Sequence, residues 1–402
     1  MKAFMKEVAG MMHQADPEAG FAFEFWDGDT IRFGNFPKVT LRLNSENAAR
    51  RIAGNGFLGF GEAYMDQELD VEGDLRELIR LGLAIQFNQR NISTLQKLRF
   101  LISAFRNRDT RRRARENIAY HYDRGNEFYA LYLDESMTYS CAYFRTPGDT
   151  LEEAQDNKYD HICRKLMLQP GESLVDIGCG WGGMLIYAAR HYGISGVGCT
   201  ISRHQFEYAN AKIREMGLQD RIRVVYRDYR EMEGQFDKFV SIGMFEHVGK
   251  QYHPVFFKKV RQLLKQGGIG LLHSIGKDFP AGRDGWTARY IFPGGYVPTL
   301  AEMADGAGEV GFSVLDVENL RLHYARTLDC WLENYEQNAD KVREMFDESF
   351  VRRWRLFLAS SSAGFRYSLT RLFQMTFTHG LNNQLPVTRD HVYSHETSAA
   401  TF

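Results

Sequence analysis

The stretch that most constrains this chain runs from Ser173 to Gly183, SLVDIGCGWGG. A short apolar run leads into Asp176, and Gly178, Gly180, Gly182 and Gly183 follow at once. An apolar run closed by glycines predicts a buried parallel strand turning sharply into a helix over 184–192. Glycine there lets the backbone approach a ligand where a Cβ would collide. Taken alone, the stretch is equally an ordinary glycine-rich strand–helix turn. From it onward, strand candidates at 174–177, 196–199, 224–226, 238–242, 269–273, 314–320 and 372–378 alternate with helical stretches such as 203–215 and 253–264. Such alternation predicts an α/β domain with a parallel sheet covered on both faces. Ligands of such sheets sit beyond the carboxyl ends of the strands. Residues 176–182, Thr200, Asp228, 243–247 and 273–276 are therefore expected to ring one crevice.

The 402 residues are enough for two domains. Residues 1–105 have a different texture. FAFEFWDGDTIRF, from Phe21 to Phe33, alternates around an Asp-Gly pair and predicts a hairpin. Another strand at 39–43 and helices at 46–51 and 75–87 make this a small α+β module. Residues 106–116 read as an arginine-rich linker, 117–385 as the larger domain, and 386–402 as a polar tail.

With 44% hydrophobic residues the chain can bury a sizeable core, and a net charge of −1 makes no global demand for nucleic acid. No apolar run reaches the ~18 residues of a membrane span. The start, MKAFMKEV, lacks a signal peptide's apolar core. Five cysteines with no CxxC spacing argue against a disulfide framework and a structural zinc site, so no metal is expected and a reducing cytoplasm is. The six arginines from Arg106 to Arg115 fit a solvated linker, an anionic membrane surface or, without supporting aromatics, RNA. TYSCAYF, from Thr138 to Phe144, gathers hydroxyls, a thiol and rings, and is a candidate wall for a ligand site. A dinucleotide site is the first rival. Gly178, Gly180 and Gly183 meet its spacing, but the second strand ends GCTIS and offers no acid to a ribose.

VDIGCGWGG, from Val175, resembles the first motif of class I S-adenosylmethionine (SAM)-dependent methyltransferases. The chain more specifically resembles the cyclopropane fatty acid synthase family and the related mycolic acid cyclopropane synthases. The pieces that carry this are YDRGNEFY from Tyr122, YSCAYF from Tyr139, TIS from Thr200, MFEHVG from Met244, LHSIG from Leu272, YIFPGG from Tyr290 and the segment around Tyr324. GFLGFGEAYMD, from Gly56, looks like the family's lipid-associated N-terminal domain. The resemblance implies a Rossmann-like, seven-stranded SAM-dependent domain behind that small α+β domain. It places SAM across Gly178, Cys179 and Gly180, with Tyr139 and Ser140 near its amino-acid part. Thr200, Ile201 and Gln205 fall at the ribose, and Asp228 and Tyr229 at the adenine. Gln205 can stand in for the missing acid, because an amide also hydrogen-bonds a hydroxyl.

An isolated alkene is a poor nucleophile, so a methyl on positive sulfur suits it as the electrophile. The chemistry then needs a base beside the methyl, walls that exclude water, and aromatic faces near a cation. Cys141, Glu246, His273, the backbone of Ile275, and Tyr324 resemble the family positions that hold a bicarbonate ion, taken to be that base. Glu246 beside an anion is expected to orient it or to carry a raised pKa. Cys141 is not expected to be a nucleophile. Each has a plainer reading: a core histidine, a helix-start acid, a structural tyrosine, a small buried thiol. His121 and Tyr122 are further candidates for the pocket. The long connection 277–298, with Phe256, Phe257 and Trp331, is assigned to an acyl-chain tunnel. The resemblance implies a cyclopropane-fatty-acyl-phospholipid synthase acting on unsaturated phospholipid. The protein is expected to be a homodimer, cytoplasmic and peripheral on the inner face of the membrane, held through the N-terminal module and the arginine run. The alternatives are a methyl- or methylene-branching acyl methyltransferase, a non-catalytic lipid-binding protein, and methyltransferases of RNA or small molecules.

Overall fold

A computed structural model describes residues 1–88, 125–282, 284–368 and 370–393, with side chains placed through 85 in the first segment. The arginine run from Arg106 to Arg115, the linker 106–116, His121 and Tyr122, and the tail from 394 lie outside the described residues.

The N-terminal unit is a four-stranded sheet ordered β2-β1-β3-β4, with β1 Phe21–Glu24, β2 Thr30–Phe33, β3 Val39–Leu43 and β4 Leu69–Gly73. The expected hairpin is β1–β2, antiparallel, with Asp27 and Gly28 in its turn. Helices Lys2–Ala15, Glu46–Asn55, Phe57–Met65 and Leu75–Asn88 cover it. Ser45 caps the second of these, its hydroxyl accepting from the Ala48 amide.

The larger sheet has seven strands: β5 Ser173–Ile177, β6 Ser195–Thr200, β7 Ile222–Tyr226, β8 Phe236–Ile242, β9 Leu264–Lys277, β10 Phe312–Asn319 and β11 Thr370–His379. Their spatial order is β10-β11-β9-β8-β5-β6-β7. The chain starts at β5, builds outward through β6 and β7, then returns to lay β8 and β9 on the other side, all parallel. The β5–β8 boundary is thus the topological switch point, where the loops leaving two neighbouring strands part and open a crevice.

One departure from an all-parallel sheet concerns β11, which runs antiparallel to both β9 and β10. After β10 the chain passes through helices Arg321–Gln337, Ala339–Met345 and Glu348–Tyr367 and returns at the same end of the sheet, between β10 and β9. Thr370 pairs with Lys277, the last residue of β9, so the strand can only run back down the sheet.

One hydrophobic cluster runs from Phe21, Phe23 and Leu41 of the N-terminal unit to Trp286, Trp331 and Trp354 of the larger domain. Arg352 fastens the two. Its guanidinium donates to the Tyr64 carbonyl, to the Leu69 carbonyl at 2.7 Å and to Asp70 at 2.8 Å. Among the described residues no helix is long and apolar enough to cross a membrane.

Candidate active site

The loop after β5 turns on two glycines with positive φ. Gly178 (φ +79°) packs on the loop after β8: an added Cβ would lie 2.5 Å from Met244 Cγ. Gly180 (φ +55°) has open space where its Cβ would be, and it lines the crevice. The backbone amides of Gly178 and Cys179 are both spent on the Cys199 carbonyl at 3.0 and 3.1 Å, which ties this loop to the end of β6.

Tyr139, Ser140, Gly178, Cys179 and Gly180 line one crevice at the switch point, together with Thr200, Ile201, Gln205, Asp228 and Tyr229. At the end of β6 the Thr200 hydroxyl donates to Gln205 Oε1 at 2.8 Å. That turns the Gln205 amide nitrogen into the side able to serve a ligand hydroxyl. Ser202 caps the helix Arg203–Glu215 that carries Gln205. Asp228 is buried and gripped by the Arg230 guanidinium at 2.8 and 2.6 Å, so its carboxylate shapes the floor of the crevice. Tyr229 packs edge-on against Phe256, ring centres 5.6 Å apart.

The remaining candidates form a second cluster of two groups, joined where the Leu320 amide donates to the Leu372 carbonyl at 2.8 Å, Leu372 lying opposite Ile275 in the sheet. Glu246, in a short 3-10 turn after β8, accepts from the Ile275 amide through Oε1 at 2.5 Å. Its Oε2 is buried with no hydrogen-bond partner, and burial pushes the carboxyl up to about 7. His273 precedes Ile275 by two on β9, so both side chains share one face. Its Nδ1 meets Gln374 Nε2 at 3.2 Å, while Nε2 is buried with no partner. Burial drives the imidazole far below its usual pKa and keeps it neutral. The Cys141 thiol is completely buried, donates to the Ala142 carbonyl at 3.1 Å, and is pushed up by burial, which is no setting for a thiolate nucleophile. The Leu320 carbonyl accepts both from Cys141 Sγ, at 3.9 Å, and from the Tyr324 amide, at 3.1 Å. The Tyr324 ring packs on Phe365 and Trp331, and Trp331 stacks on Tyr139 at 5.1 Å. That stack joins the cluster to the crevice.

The expected tunnel residues divide: Trp331 stacks on Tyr139 and Phe292 packs edge-on against His247 of the crevice, whereas others go elsewhere. Phe256 and Phe257 are buried with Phe239, Phe245 and Met303 in a core on the other side of the sheet. Trp286 is fully buried against Phe57 and Gly61 of the N-terminal unit, and Tyr290 donates to Glu62 at 2.9 Å. The 277–298 connection therefore brackets that unit to the larger domain.

Lys158 was not singled out from the sequence. It lines the crevice completely buried, its ammonium donating to Ser140 Oγ at 3.1 Å. Burial pulls it down to about 7 against the opposing pull of Asp134, Cys141 and Asp176. Asp176, on the same wall, is pushed up to about 7 by burial, and its Oδ1 has no partner. A cation and an anion on one wall suit an amino acid's carboxylate and ammonium. The signal was available: Lys158 falls on the buried stripe of Leu151, Ala154 and Ile162, where a lysine is out of place.

Residues 109–375 match the family model for mycolic acid cyclopropane synthetase, and 11–91 match a domain of unknown function, DUF7884. The chain is 36% identical to a probable fatty acid methyltransferase of Pseudomonas putida, covering 92% of this chain and 95% of that one. It is 36% identical to the cyclopropane-fatty-acyl-phospholipid synthase of Escherichia coli K12, covering 87% and 90%. The crystal structure of mycolic acid cyclopropane synthase CmaA1, complexed with S-adenosylhomocysteine and CTAB, superposes with a TM-score of 0.63 at 33% identity over 66% of this chain and 98% of that one. With this match, the seven-stranded sheet and the glycine loop at its switch point, the chain belongs to the mycolic acid cyclopropane synthetase family and is a SAM-dependent methyltransferase.

Proposed function

We propose that the protein transfers the methyl carbon of SAM to a cis double bond of a phospholipid acyl chain and closes a cyclopropane ring, with bicarbonate bound beside the reacting carbon. The observation that carries this reading is the pair of buried, unpartnered polar atoms, Glu246 Oε2 and His273 Nε2, behind an aromatic wall that adjoins the crevice. Buried polar groups are nearly always satisfied, so two orphans in one cluster point to a missing small polar ligand. Bicarbonate fits them, since it has acceptor oxygens for a neutral imidazole N–H and a hydroxyl for a carboxylate.

Tyr139, Ser140, Lys158 and Asp176 hold the amino-acid part of SAM. The loop at Gly178, Cys179 and Gly180 cradles it, Thr200, Ile201 and Gln205 take the ribose, and Asp228 and Tyr229 border the adenine. SAM supplies an electrophilic methyl, and bicarbonate, held by Cys141, Glu246, His273, the Ile275 backbone and Tyr324, supplies a proton acceptor. In the net reaction the alkene gains one CH2, sulfur leaves with the electron pair of the broken bond, and one proton is released. Tyr139, Trp331, Tyr324 and Phe365 keep water from the cationic carbon and turn ring faces toward it. The thiol of Cys141 stays protonated and takes no nucleophilic part.

The N-terminal unit and the arginine run from Arg106 to Arg115 are proposed to hold the protein reversibly on an anionic inner membrane surface, as a homodimer. The Pseudomonas relative's name favours a second reading, in which a different proton is lost and a branched chain results. Incubation with unsaturated phospholipid vesicles and methyl-labelled SAM, followed by mass spectrometry, separates them. A gain of one CH2 that resists hydrogenation is the cyclopropane. The same gain followed by uptake of hydrogen is the methylene branch. Intact SAM binding without labelled lipid overturns the acyl-chain substrate.

A further inference from the structure

Three polar residues lie in a row across the sheet. In register, Glu318 of β10 faces Gln374 of β11, and Gln374 faces His273 of β9. Directly opposed residues in a sheet have their side chains side by side on one face. Lys165, from the last turn of helix Leu151–Lys165, reaches the row from above. It pairs with Glu318 and donates to Gln374 Oε1 at 2.8 Å. Lys165, Gln374 and His273 are all buried.

The row has a direction. An ammonium only donates, so the Gln374 oxygen must face Lys165 and its NH2 must face His273. That amide donates to His273 Nδ1 at 3.2 Å, so Nδ1 carries the lone pair and the ring proton sits on Nε2. The opposite tautomer would set two N–H groups against each other in a buried site. Glu318 supplies the charge that keeps Lys165 an ammonium there, and His161 Nε2 approaches the same carboxylate at 2.7 Å.

We infer that Gln374, oriented by Lys165, is a positioning residue that fixes His273 as an Nε2–H donor aimed at the ligand of the second cluster. That the acceptor is bicarbonate rests on the reading above, whereas the tautomer does not. The arrangement explains how a neutral histidine, the weaker partner for an anion, is committed to donate to it. Imidazole can present either nitrogen, and a fixed amide removes the choice.

The test is two-bond 1H–15N NMR of the full-length protein labelled with 15N-histidine, at neutral pH, with His273 assigned from its loss in His273→Gln. The expected spectrum has the proton on Nε2 and a bare Nδ1. A proton on Nδ1 overturns the inference. Gln374→Glu places an acceptor opposite Nδ1 and is expected to move the proton there. It should lower kcat about ten- to a hundred-fold, on the scale of one lost hydrogen bond to a charged group, with the KM for SAM unchanged. Gln374→Glu with full activity overturns it as well. Should that variant not fold, the wild-type spectrum still decides. Activity that ignores added bicarbonate alongside the Nε2–H spectrum overturns the anion's identity and supports the tautomer.

Discussion

Gly178 and Gly180 are two residues apart in one loop, yet alanine should damage them in different ways. At Gly178 the left-handed backbone costs an L-residue about 1–2 kcal/mol. The new Cβ would also lie 2.5 Å from Met244 Cγ and 2.6 Å from its Cβ, where one atom must move. Overpacking of that kind adds roughly 1–3 kcal/mol. Gly178→Ala should therefore lose about 2–5 kcal/mol of stability. Gly180→Ala bears only the backbone strain, about 1–2 kcal/mol, because nothing lies within 4 Å of its added Cβ. That open space is where the cofactor is expected, so Gly180→Ala should bind SAM about ten- to a hundred-fold more weakly while staying folded, the scale of one close contact to a charged ligand. Urea denaturation gives the first quantity and calorimetric titration with SAM the second. Wild-type SAM affinity in folded Gly180→Ala would refute the placement of the ligand. A Gly178→Ala protein no less stable than Gly180→Ala would refute the packing account.

Partnership with His161 and Lys165 holds the Glu318 carboxyl down to about 2, against burial. A depressed carboxyl stabilises the fold above its unfolded pKa near 4.5 and loses that contribution as pH falls from there toward 2, so Glu318→Gln should flatten the acid limb of a denaturation profile. Glu318 is half-buried, so removing it from the buried Lys165 should cost about 1.5–3 kcal/mol at pH 7, the scale of hydrogen bonds to a charged group, read by urea denaturation. Gly61→Ala drives a Cβ to 2.3 Å from the Trp286 ring. It should destabilise by about 1–3 kcal/mol and shift tryptophan fluorescence, and an unchanged midpoint would deny the tight seam between the N-terminal unit and the larger domain. Replacing the six arginines from Arg106 to Arg115 should weaken binding to anionic vesicles and flatten its salt dependence, measured by co-sedimentation. Binding that stays the same would remove the arginines from the membrane contact.

Each strand of the large sheet was legible because its apolar run is bounded by glycine or polar breaks. The direction of β11 was not, since an alternating pattern is the same read either way. Helix Phe57–Met65 was missed for a different reason. GFLGFGEAYM carries glycines that disfavour a helix, and burial of Gly61 against Trp286, more than two hundred residues on, outweighs that propensity. Phe256 and Phe257 were sent to the wrong side because an aromatic pair on a helix does not say which layer it faces. Glu246 and His273 were legible only through the motifs around them. A histidine in a strand is usually a satisfied core residue, and only the structure shows that Nε2 is not satisfied.

The reversal of β11 sets what lies beside this site. An all-parallel sheet needs a crossover that returns the chain to the amino ends of the strands. Here three helices bring it back at the carboxyl end, so the first residues of β11, not the last, pair with the carboxyl end of β9. That sense sets Gln374 opposite His273 and Glu318 opposite Gln374. The same excursion supplies the rest of the second cluster. Helix Arg321–Gln337 carries Tyr324 and Trp331, and Phe365, near the end of Glu348–Tyr367, packs on Tyr324 with ring centres 4.5 Å apart. Nearer its start, that last helix also carries Arg352, which grips the N-terminal unit. One helix thus touches the proposed membrane-facing unit at one end and the wall of the reaction pocket at the other. The seven-stranded sheet supplies the crevice at its switch point, and the three helices and the reversed strand supply the aromatic wall and the polar row beside it.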